Sequence, residues 1–115
     1  MPKTAKATNY KHIPVLLKQA ITYLNPQKGQ RFIDGTLGGG GYTSELLKKG
    51  ANVLSIDLDS TALENAKKKF SKEIKAKNLV LAHGNFAQLD RIVESHKQFY
   101  GFNAVDGIVA DIGLS

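Results

Sequence analysis

Apolar positions recur along this chain in two alternating rhythms. Leu16, Leu17, Ala20, Ile21 and Leu24 fall at helical spacing behind Pro14, which is tolerated in a first helical turn, and Pro26 and Gly29 end that helix. The short apolar run Phe32-Ile33 reads as a strand. Thr43 to Lys49 reads as a short helix closed by Gly50, with Leu46 and Leu47 inward, and Ala51 to Asp57 as a second strand. Leu63, Ala66, Phe70 and Ile74 then form the buried stripe of a single long helix. Its start carries capping-box spacing at Thr61 and Glu64, with Ser60 or Asp59 as alternative caps. Leu79 to His83 is a third strand. Leu89, Ile92, Val93 and His96 lie at i, i+3, i+4 and i+7 of a further helix, where His96 reads as a packing or last-turn residue. Val105 to Asp111 is the fourth strand. Residues 1–11, small, polar and basic with no apolar period, read as a disordered basic tail ahead of a domain over 12–115.

A helix followed by strands that alternate with helices predicts an α/β fold: four strands of a doubly wound, mainly parallel sheet with helices on both faces. In such sheets ligands bind beyond the carboxyl ends of the strands, where strand order reverses. Asp34, the glycines that follow it, Asp57, Phe86 and Asp111 all stand at or just past predicted strand ends.

The stretch Arg31 to Tyr42 holds four consecutive glycines, Gly38, Gly39, Gly40 and Gly41, between a strand and a helix. Residues without a Cβ allow a turn with positive φ and a close approach of main-chain amides to a ligand, and the helix start beyond it presents free N–H groups. Asp57 ends the next strand roughly 20 residues on, the place of a carboxylate that accepts hydrogen bonds from ribose hydroxyls. Asp59 reads as a helix cap. The dinucleotide pattern G-x-G-x-x-G fails at its last glycine in either register, since Thr43 or Ser44 stands there. S-adenosylmethionine, which has no pyrophosphate, fits a looser turn. Phe86 would then stack on the adenine, or serve only as core, and Asp111 would lie nearer the methyl end.

The chain of 115 residues has no cysteine, which excludes a disulfide framework, a thiolate metal site and a cysteine nucleophile. No stretch reaches the ~20 apolar residues that span a bilayer, and the expected location is cytoplasmic. The net charge of +6 points to an anionic partner, and much of the surplus sits in Lys67, Lys68, Lys69, Lys72, Lys75 and Lys77. On a helix such a run is a solvated face or a contact for nucleic acid.

The motifs His12-x-Pro-Val-Leu, Asp34-Gly-Thr-Leu-Gly-Gly-Gly-Gly, Ile56-Asp-x-Asp59, His83-Gly-Asn-Phe86 and Val105-Asp-Gly-Ile-x-x-Asp-x-Gly-x-Ser115, in that order, resemble the N-terminal part of the MraW/RsmH family. The resemblance runs from His12 to Ser115. It implies a Rossmann-like S-adenosylmethionine-dependent methyltransferase that modifies N4 of a cytidine in 16S ribosomal RNA of the small subunit, without a metal. It also implies site roles: Gly40, Gly41 and residue 42 in the cofactor turn, Asp57 on the ribose, Phe86 on the adenine, and Asp111 beside the transferring methyl. Tyr42 stands where the family usually has histidine. The resemblance covers only the first third of family members, so the expectation for these residues is a cofactor-binding part that does not itself methylate RNA and whose fourth strand forms a sheet edge. The competing readings are a nicotinamide-dependent oxidoreductase half-domain, a methyltransferase of DNA or small molecules, and an inactive cofactor- or RNA-binding module.

Overall fold

Strand residues that are apolar on both sides must be covered on both sides, and the pleat sorts them by alternation. The computed structural model describes residues 3–8, 14–96 and 105–112, with side chains over 17–96 and 105–110. Its elements are β1 (Lys3–Thr8), α1 (Pro14–Leu24), β2 (Arg31–Asp34), α2 (Gly41–Lys48), β3 (Asn52–Asp57), α3 (Ser60–Lys69), α4 (Ser71–Lys75), β4 (Leu79–His83), a 3₁₀ turn (Phe86–Gln88), α5 (Leu89–Ser95) and β5 (Gly107–Ile112). The strands form one parallel sheet in the order β1-β5-β2-β3-β4. Phe32, Val53, Leu79 and Val109 pack on one face against Leu24, Leu46, Leu63 and Phe70. Ile33, Leu54, Ile56 and Ala82 pack on the other face against Ile92.

The chain winds outward from β2 through β3 to β4, then crosses back to place β5 on the far side of β2. Strand order therefore reverses between β2 and β5, which opens a crevice at their carboxyl ends. The doubly wound arrangement expected from the α and β rhythm is present.

Three readings of the sequence need correction. Lys3–Thr8, expected within a disordered tail, is a strand paired in parallel with β5, Lys3 opposite Gly107 through Thr8 opposite Ile112. An edge strand needs no apolar alternation, and lysines are common on sheet edges, so the local pattern was silent while a distant partner decided the conformation. For the same reason the sheet has five strands and β5 is not its edge. The third correction concerns the long helix, which divides at Phe70 (φ −111°, ψ 30°) into α3 and α4. The Phe70 ring is buried and sits so close to Gly40 that a Cβ there would come within 3.0 Å of it. The cap of α3 is Asp59, whose Oδ1 accepts the Thr61 N–H at 2.8 Å. The stretch Phe99-Tyr100-Gly101-Phe102, which reads as an aromatic loop ahead of the last strand, lies outside the described residues.

Gly107 opens β5 beneath the Phe32 ring and Leu24, where a Cβ would meet carbons at 2.8 to 3.0 Å. Gly107→Ala is expected to overpack this junction and cost about 1–3 kcal/mol, read as a lower urea midpoint at unchanged slope; an unaltered midpoint would show that the junction yields freely.

Candidate functional site

Asp34, at the end of β2, and Ser55 of β3 are register partners on the face covered by α2. Both are fully buried, as is Thr43 in the first turn of α2. The Thr43 hydroxyl donates to Asp34 Oδ2 at 2.7 Å and lies 2.6 Å from Ser55 Oγ. Asp34 Oδ1 accepts the Thr36 N–H at 3.1 Å. Burial pushes the Asp34 carboxyl from 3.8 up to about 7, against the opposing pull of the Thr43 and Thr36 hydrogen bonds. These contacts close the base of the glycine loop, residues 35–42, by joining the residue before it to one just beyond it.

The tip of that loop is held separately. Gly38 N–H donates to Asp57 Oδ2 at 2.8 Å, and Asp59 N–H donates to Asp57 Oδ1 at 2.8 Å. Each carboxylate oxygen keeps lone-pair capacity for a further donor. Gly38 has φ 50° and Gly40, the residue before α2, has φ 88°, both in the left-handed region that favours glycine. The start of α2 behind them adds the positive end of a helix dipole.

A cavity of about 140 Å³ lies at the carboxyl ends of the strands, lined by Gly35, Thr36, Asp57, Leu58, Gly84, Asn85 and Phe86. The Phe86 ring rests on Gly35 so closely that a Cβ there would fall 2.5 Å from Cδ1. Gln88 N–H is taken by the Asn85 main-chain carbonyl at 2.9 Å, and the Gln88 side chain returns to Asn85 N–H at 3.0 Å. The Asn85 side-chain oxygen is shut away from solvent, while the residue itself lines the cavity. A second cavity, about 130 Å³, lies on the other side of the turn between Gly38, Gly39 and α3.

Asp57 and Phe86, both expected at the site, meet in one cavity, while Gly38 and Gly39 line the other. Gly40 and Gly41 sit at the start of α2, and the Tyr42 ring is buried in the core beside α1. Tyr42 therefore offers a ligand its main chain. Asp111 lies in β5 near its carboxyl end, opposite Ala7; its side chain lies outside the described residues. His83 and His96 are bound locally, His83 Nε2 2.8 Å from the Leu58 carbonyl and His96 Nδ1 2.8 Å from that of Ile92. No group of three or more metal-ligating side chains occurs among the described residues, nor does a helix long and apolar enough to cross a membrane. Reading the sequence missed Thr43, Ser55, Gly35, Gly84 and Asn85. The signal available for Gly35, Gly84 and Asn85 was their position just past strand ends; for Thr43 and Ser55 there was none before the register was known.

A family model described as the MraW methylase family matches residues 9–115. A protein of Oenococcus oeni named ribosomal RNA small subunit methyltransferase H is 43% identical over 109 residues, covering 93% of this chain and 33% of that protein. Its namesake from Thermomicrobium roseum is 44% identical over 107 residues, covering 90% and 31%. The chain thus spans about a third of the length of these curated relatives. Among solved structures, the C-terminal domain of precorrin-6Y C5,15-methyltransferase from Rhodobacter capsulatus superposes with a TM-score of 0.59 at 19% identity, covering 66% of this chain and 42% of that one.

Because the folded Asp34 carboxyl titrates near 7 and the unfolded one near 3.8, the folded state holds the extra proton between those values. Stability from this group is therefore full below about pH 4 and falls as pH rises toward 7. Urea midpoints measured across that range should decline in the wild type relative to Asp34→Asn, whose amide keeps an acceptor for Thr36 N–H and a donor for Thr43. Parallel profiles would mean that Asp34 is ionised throughout.

Proposed function

Because the chain belongs to the MraW methylase family, we propose that it is the cofactor-binding part of an S-adenosylmethionine-dependent methyltransferase acting on N4 of a cytidine in 16S ribosomal RNA. The observation that carries this reading is the cavity that Asp57 and Phe86 line together beyond the carboxyl ends of β2, β3 and β4. Its chemistry suits a nucleoside. Asp57 has lone pairs left for a ribose diol, Phe86 offers a ring face, and Asn85 lines the wall beside them.

When bound, S-adenosylmethionine supplies a methyl group activated by a sulfonium. The residues around it bind and orient. Asp57 accepts the ribose hydroxyls while already holding Gly38, so the loop needs no rearrangement to receive the ligand. Gly39, Gly40, Gly41 and Tyr42 contribute main-chain groups at the start of α2, whose dipole suits the carboxylate of the cofactor's amino-acid end. The exocyclic amine of cytosine is a poor nucleophile because its lone pair is delocalised into the ring. It must be held about 3 Å from the methyl, with its N–H bonds accepted so that charge developing on nitrogen is stabilised. We assign that role, together with a share in holding the cofactor, to Asp111 near the carboxyl end of β5. The partner is the small-subunit ribosomal RNA, and the cytoplasm is where such a substrate is met.

Calorimetric titration with S-adenosylmethionine and, in parallel, NAD tests the reading. S-adenosylmethionine alone should bind, and Asp57→Ala should weaken it by about 1.5–3 kcal/mol, roughly ten- to a hundredfold, through loss of charge-assisted hydrogen bonds. Unchanged affinity in that variant removes Asp57 from the site, and binding of NAD instead makes the chain a nicotinamide-binding half-domain.

A further inference from the structure

The lysines that follow the glycine loop are not equivalent once their surroundings are compared. Residues 60–77 carry six lysines against two glutamates, a surplus of four on a chain whose net charge is +6. Lys67 is paired with Glu64 at 3.2 Å. Lys69 reaches back to the Gly39 carbonyl at 3.4 Å and lies 5.3 Å from the centre of the Phe70 ring. Lys68, Lys72 and Lys75 differ from both. They recur at i, i+4 and i+7, all three are exposed, and none of their side chains has a hydrogen-bond or ion-pair partner among the described residues. Phe70 N–H bonds the Ala66 carbonyl at the end of α3 and Ile74 N–H bonds the Phe70 carbonyl at the start of α4, so the three lysines form an exposed stripe that crosses the junction of the two helices.

We propose that Lys68, Lys72 and Lys75 form a docking stripe for the phosphodiester backbone of the RNA substrate. The inference rests on the RNA-methyltransferase reading for the identity of the polyanion. Lysine is a point-charge binder of phosphate, and neutralising phosphates releases condensed counterions. Exposed aromatic rings do not interrupt the stripe, so it positions RNA without reading bases. An anionic membrane surface fits it less well: the apolar residues Leu63, Ala66 and Phe70 of the same segment are buried toward the core, leaving no face to insert. The opposite side of the same segment meets the cofactor loop, where Lys69 touches Gly39 and Phe70 packs on Gly40, so the stripe faces away from the loop.

The test is fluorescence anisotropy with a labelled small-subunit ribosomal RNA fragment from 50 to 200 mM KCl, with an S-adenosylmethionine titration of every variant. The triple variant K68E/K72E/K75E, and its milder counterpart with glutamine at the same positions, are compared with K18E/K28E/K49E, which changes net charge equally at exposed lysines elsewhere. The expected result is at least a tenfold loss of RNA affinity in the stripe variants and a salt slope flatter by about two, given roughly 0.7–0.9 per phosphate contact. The control should lose less than threefold, and S-adenosylmethionine binding should be unchanged in both sets. Equal losses in the two sets, no loss in the stripe variants, or no RNA binding by the wild type would overturn the stripe while leaving the cofactor reading intact. Stripe-dependent RNA binding without S-adenosylmethionine binding would support the stripe and sink the methyl-transfer reading instead.

Discussion

A carboxyl group without access to water must find its hydrogen bonds inside the protein, and Asp34 finds them in Thr43 and the Thr36 amide. That requirement organises the carboxyl-terminal edge of the sheet. Burying an unpartnered polar group costs several kcal/mol, so the side chains that satisfy Asp34 cannot drift apart without exposing that penalty. Thr43 belongs to α2, Asp34 to β2 and Ser55 to β3. One shared proton network therefore ties the helix to two adjacent strands and closes the base of the glycine loop between them. The loop's four glycines would otherwise be the most freely moving part of the chain.

Asp57 acts at the tip of the same loop by a different kind of contact. Its carboxylate stays within reach of solvent and binds two main-chain amides, one in the loop and one at the start of α3. Base and tip are thus clamped by acids in opposite surroundings, one buried and pushed toward neutrality, the other accessible and still able to accept. Under the proposed function this division is useful: ordering the loop in advance lowers the entropy lost when a ligand arrives.

Much of this was legible in the residues. Apolar rhythm located the strands and helices of the β2-to-β5 unit apart from the division of α3 from α4, because the driving pattern is local and repeats at a fixed period. The meeting of Asp57 and Phe86 in one cavity was legible because strand ends in a doubly wound sheet converge. What escaped depended on register or on distant pairing. Thr43 and Ser55 look like ordinary small polar residues until the pairing of Asp34 with Ser55 is known. Phe70 matched a continuous helical stripe, yet its contact with Gly40, 30 positions earlier, accompanies a break there. Lys3–Thr8 had no local signal at all.

That last strand bears on how the molecule is assembled during synthesis. Among the described strands β1 is made before the other four, but its partner in the sheet is β5, and the two meet with Lys3 opposite Gly107. Until β5 has been made, β1 has no ladder to join, and closing so long a loop is slow compared with forming the β2–β3–β4 unit. Of the five described strands, β1 is thus made ahead of the rest yet can dock only once β5 is present, after β2, β3 and β4 have been able to pair.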